Sequence, residues 1–113
     1  MMSNAQRCAA FKQRVSDWAQ QVRSSPRQIV LMQMRNKWAS CSSKGRICFA
    51  KDVLGLAPSI QDYIIVHELL HLKHPNHGRV FKSLLKATLP EWQASHEQLR
   101  LVVPSRHFPV GVY

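Results

Sequence analysis

The segment that most restricts the fold lies between two prolines. From Ile60 to His74 the chain reads IQDYIIVHELLHLKH, with Pro58-Ser59 before it and Pro75 after it. Ser59 with Asp62 three residues on has the form of a capping box, in which hydroxyl and carboxylate satisfy the first free amides of a helix. Pro75 has no amide to offer and stops the helix. The run Ile64-Ile65-Val66 is β-branched and alone favours a strand, but the segment is too long and too clearly marked at its start for that assignment. A helix from Ile60 to His74 is expected.

That helix has a chemical consequence. Residues four apart lie one turn above another on the same face, so His67 and His71 both point at one location. Glu68 stands beside the first imidazole, within reach of a water on a cation held there, without having to be a ligand itself. Shuffling a chain with six histidines and three glutamates would produce H-E-x-x-H about once in a hundred trials, so the pattern is specific though not beyond chance. A catalytic zinc takes three protein ligands and keeps a fourth position open. His77, six residues past His71, has the offset of a third ligand. His74 occupies the place where a glycine would ease the turn, so the chain must fold back one residue later, at Pro75-Asn76. Glu91, on a later helix, and His74, at the end of the same one, are the rivals for that position. His96 and His107 are isolated and read as surface residues or as partners behind the ligands.

The rest of the chain reads as a small α+β unit. Cys8, Phe11, Val15, Trp18 and Val22 recur at spacings of three and four, an amphipathic helix that Ser24, Ser25 and Pro26 end. Gln28 to Met34 reads as a buried strand. In WASCSSKGRICFA two strand-like pieces flank a turn in which Gly45 is free to take positive φ, a β-hairpin. Helices are expected from Gly78 to Thr88, with Phe81, Leu84 and Leu85 on one face, and from Pro90, carrying Trp92 and Leu99. The tail from Pro104 reads as irregular. At 113 residues one domain over 1–113 is expected.

Composition bounds the partners. Apolar runs reach only four residues or so, far short of a membrane span. The start lacks the apolar stretch of a secretory signal, and Cys8, Cys41 and Cys48 form neither a C-x-x-C pair nor an even set, which together favour a reducing cytoplasm. Cys41 and Cys48 can face each other across the hairpin, but two reduced thiols is the simpler reading. Sixteen Lys+Arg against six Asp+Glu give a formal charge of +10, and seven basic residues with no acid lie between Arg23 and Lys51. Such an excess suits DNA as a partner, because neutralised phosphates release counterions, and equally a merely solvated basic face.

Lys37-Trp38-Ala39-Ser40-Cys41-Ser42, then Gly45 and Ile47, precede Gln61-Asp62-Tyr63, His67, Glu68, His71, Asn76-His77 and Phe81. In this order they resemble the YgjP-like metallopeptidase family, relatives of the SprT and WLM domains. Its members show a segment similar to R-W-G-S-C-S-x-x-G-x-I and then I-D-Y-x-x-x-H-E-L-x-H-L-x-x-x-N-H-S-x-x-F-W. The likeness spans Leu31 to Trp92, with departures at Lys37, Ala39, Gly78 and Lys82. It implies a small zincin-like fold: an N-terminal helix, a short antiparallel sheet, an active-site helix and C-terminal helices. It implies Zn2+ on His67, His71 and His77, with Glu68 as catalytic base, in an enzyme that hydrolyses peptide bonds of a protein or peptide substrate. The alternative reading is a DNA-associated protein or protease with a zinc site and a basic nucleic-acid-binding face; in its non-enzymatic form zinc is structural and the basic stretch binds. Structural zinc is usually closed by four ligands, and His74 is the residue placed to close this one.

Overall fold

The computed structural model describes residues 2–102; the expected irregular tail, with His107 in it, lies outside the described residues. In chain order the elements are α1 (Asn4–Gln21), β1 (Gln28–Met32), β2 (Ala39–Cys41), β3 (Arg46–Ala50), a 3-10 turn (Lys51–Gly55), α2 (Pro58–His71), α3 (Arg79–Thr88) and α4 (Trp92–Val102).

The core is built around α2, which touches α1, β2, α3 and α4. Ten of its residues, from Ile60 and Gln61 through Tyr63 to Leu70, are buried on every side. That is why a β-branched run is helical here: a helix apolar all round is stable when neighbours cover all of it, and tertiary packing outweighs propensity. Phe11 and Val15 of α1 reach the core, and the Phe11 ring meets Phe49 of β3 edge-on at 5.0 Å.

The expected capping box does not form. Pro58 takes the first helical position, Ala57 is the N-cap, and no side chain caps the end. Proline is suited to that position because its missing amide would have had no partner anyway. Asp62 instead accepts hydrogen bonds from the Arg14 guanidinium and from the Trp18 indole at 2.9 Å, fastening α1 to the start of α2. A capping box is present at the other end of the chain, where Ser3 and Gln6 satisfy each other's amides at the start of α1. At its far end α2 stops at His71, not His74. The amides of Leu72 and Lys73 bond three residues back, to Leu69 and Leu70, while His74 still reaches Leu70. The last turn thus tightens before Pro75, as expected where the residue ahead of a proline avoids helical geometry. The Ser24 hydroxyl donates at 3.0 Å to the same Leu69 carbonyl that accepts from Leu72, adding a side-chain partner at the helix end.

The sheet is mixed, which corrects the expectation of an antiparallel one. Its order is β1-β3-β2. β2 and β3 form the expected antiparallel hairpin, while β1 pairs with β3 in parallel, Gln28 opposite Arg46 through Met32 opposite Ala50. Four of the five residues of β3 are buried, so it takes the centre, and β1, arriving from the other side, runs alongside it. In the turn, Gly45 has φ +89° and donates to the Ser42 carbonyl at 3.1 Å. Register pairs Ser40 with Cys48 and Cys41 with Ile47, so the two thiols point to opposite faces, and all three cysteines are free. No helix among the described residues is long and apolar enough to cross a membrane.

Candidate metal centre

His67 and His71 sit one turn apart on α2, and His77 comes from the loop that returns from α2 to α3. One potential ligand atom from each lies within 4.8 Å of the others. The ring centroids form a near-equilateral triangle, 4.7, 5.2 and 4.5 Å apart, and the Nε2 atoms of His71 and His77 face each other at 2.7 Å. Phe81 of α3 lies against all three rings, at 5.3, 4.8 and 5.0 Å. It is fully buried and forms an apolar floor under them. Behind His67, Tyr63 stands edge-on at 6.0 Å, stacked on Trp92 and with its hydroxyl 2.9 Å from His96 Nδ1.

The electrostatics suit a cation. Burial pushes His71 down to about 4, helped by its neighbouring histidines, and burial likewise lowers His77. Both therefore present neutral imidazoles at ordinary pH, the form that binds metal. A hydrogen bond to the His74 backbone holds the His71 ring in place, the usual support for a ligating histidine. The donor set of three nitrogens with no thiolate fits zinc as well as other borderline divalent ions.

Glu68 is almost fully buried beside His67, its carboxylate 3.7 Å from Nδ1 of that ring. Burial raises its carboxyl to about 7, against the attraction of His71 and Lys37. Both residues line a cleft of about 500 Å³, whose opposite wall is β2 and the hairpin turn. Cys41, on that wall, is pushed up to about 11 by burial and by Glu68, which keeps it a thiol.

A model of the YgjP-like metallopeptidase domain matches residues 2–101. The chain belongs to the YgjP-like metallopeptidase family. The match extends the resemblance from the motifs to nearly the whole described chain, and it makes this protein a peptidase. Two solved structures share the fold. Abylysin of Pyrococcus abyssi, a metallopeptidase zymogen, is 20% identical with a TM-score of 0.77, covering 87% of this chain and 99% of that one. Jannalysin of Methanocaldococcus jannaschii, also a metallopeptidase zymogen, is 24% identical with a TM-score of 0.67, covering 81% and 93%. No curated protein matches the chain.

In this YgjP-like protein the two rivals for the third position lie elsewhere. Glu91 is exposed in the turn before α4, and His74 borders a neighbouring depression. Among the described residues the cluster consists of His67, His71 and His77. The sequence placed Phe81 on the apolar face of a helix and Cys41 in the hairpin, and gave neither of them, nor Lys37, a place at the site. All three fall within the segments that carry the family resemblance, which marks the segments but not the contacts.

Proposed function

We propose that His67, His71 and His77 hold one zinc ion and that Glu68 is the general base of peptide-bond hydrolysis, in one catalytic domain. The observation that carries this reading is a shared wall: three converging imidazoles and a buried carboxylate line the same open cleft. Zinc bound there supplies an acidified water and a Lewis acid for the scissile carbonyl. Glu68 takes up a proton on its carboxylate and returns it to the leaving amine; burial raises its carboxyl in the metal-free site, and a cation held by the histidines would favour the ionised form that accepts the proton. Lys37 keeps its ionised form within reach. Phe81 and Tyr63 orient the imidazoles from below and behind.

The substrate has a natural place. β2 is an outer strand of the sheet and borders the cleft, so an extended polypeptide can add to its free edge by backbone hydrogen bonds. Among the described residues three donors make up the cluster, and that favours a catalytic ion with an open position over a structural one closed by a fourth ligand. The test pairs metal analysis with cleavage of an unfolded protein such as casein. Glu68→Gln should retain zinc while cleavage falls by a factor of about 10² to 10⁴. Full cleavage by that variant would remove Glu68 from the chemistry.

A further inference from the structure

The cleft does not end at its rim. A first depression, bordered by Arg27, Lys44 and Lys73, shares Ser43 with it. A second shares Pro75 with the cleft and Lys73 with the first depression, and it runs past Arg79. The third continues from Arg79 along α3, where Lys82 and Lys86 follow at helical spacing on one face. Among the described residues no acidic one lines any of the three, and the cleft itself contains Glu68 as its one acid. Asp62 and Glu97 are engaged elsewhere, with Arg14 and Arg100. The mouth of the site is therefore flanked by positive charge, with Lys37 inside it.

We propose that this basic belt selects polypeptide substrates with acidic residues flanking the scissile bond. The inference rests on the reading that peptide bonds are cut beside Glu68. An extended chain advances about 3.3 Å per residue, so residues a few positions from the bond leave the cleft over its rim, onto the depressions. Charge of one sign around a concave site concentrates ligands of the opposite sign and speeds their encounter. Single-stranded nucleic acid is the weaker fit, because it is held by bases stacked on exposed aromatic rings, and among the described residues the aromatic lining these depressions, Phe81, is buried under the histidines. A duplex, held through its phosphates, is the competitor in the test.

The test is fluorescence anisotropy with the zinc-loaded Glu68→Gln chain and labelled peptides that share one neutral central segment. Their flanks carry Glu, Gln or Lys, and binding is read at about 20 mM and about 500 mM salt, on either side of effective screening. The Glu-flanked peptide should bind about tenfold more tightly than the Gln-flanked one at low salt, and the difference should vanish at high salt. Lys73→Glu combined with Arg79→Glu should remove that gain and leave Gln-flanked binding unchanged. Equal binding of the three peptides, or a preference that survives both salt and the double variant, overturns the proposal. So does a duplex oligonucleotide that binds more tightly than the Glu-flanked peptide. The zinc-free unmodified chain serves as a second preparation, since the belt contains no metal ligand. Binding requires no bond cleavage, so an unmodified chain that binds acidic peptides but cuts nothing refutes the hydrolytic reading and not the belt.

Discussion

At the residue scale, Glu68 and His71 make the zinc-free protein unusually informative. Glu68 keeps its proton up to about 7, where an ordinary carboxyl releases it at 4.5. Its contribution to stability is complete below 4.5 and is lost as pH rises through 7. His71 is pushed down to about 4 from 6.5. The unfolded chain takes up that proton first, so stability is lost as pH falls from 6.5 through 4. The two effects oppose each other, and Glu68→Gln removes the first, while the lowered His77 and His96 add to the second. We expect the urea midpoint of the zinc-free variant to climb between pH 4.5 and 6.5 more steeply than that of the unmodified protein. Level profiles for both would contradict the burial of these groups. The relation of His67, Glu68 and His71 was legible in sequence because helical spacing alone fixes it, whereas His77, in the loop beyond α2, was one of three candidates until the fold brought its ring to the other two. The place of Phe81 was not legible, because the contact of one ring with three others is a product of how α3 packs on α2. Phe81→Ala should cost about 3–5 kcal/mol of stability and lower zinc affinity as well, read by thermal melting and by competition with a chromogenic chelator. Unchanged zinc affinity in a folded variant would mean that the floor does not set the ring positions.

At the element scale, the helices and the hairpin were legible from periodicity and from Gly45, whereas the ends and partners of the elements were not. Ser59 and Asp62 have the spacing of a cap, yet Asp62 is claimed by Arg14 and Trp18 from α1, a contact 44 to 48 residues away in sequence. No local pattern can report such a claim. The same limit applies to the sheet: hairpin pairing is local, but the parallel partner of β3 is β1, the strand that precedes the hairpin, and no turn residue marks that pairing. Asp62→Ala leaves the guanidinium and the indole without their shared acceptor, and we expect a loss of about 1–3 kcal/mol in urea unfolding with zinc content unchanged. Gly45→Ala tests the turn. Its φ is +89°, and an added Cβ would come within 2.9 Å of Arg27 Cγ, so the variant should lose about 1–3 kcal/mol. A neutral result would show that the turn relaxes to another conformation.

At the scale of the whole molecule, the charge of +10 was visible as a total but not as a distribution. Only the fold brings Arg27 and Lys44 of the sheet region beside Lys73 and the α3 cations around one cleft. The molecule should also be coupled to its metal, because an ion that binds only the folded state stabilises it by mass action, about 2.7 kcal/mol at a hundredfold excess over Kd. Chelation should lower the unfolding midpoint of the unmodified protein and leave that of His77→Ala nearly unmoved.

The most direct measurement is X-ray absorption at the zinc edge of the loaded, unmodified protein. We expect a first shell of light atoms at about 2.0–2.1 Å, with outer-shell scattering from three imidazoles and one further oxygen. Sulfur at about 2.3 Å, which Cys41 would supply, or scattering from four imidazoles would show that the ion is closed off, and an open hydrolytic site on His67, His71 and His77 would be untenable.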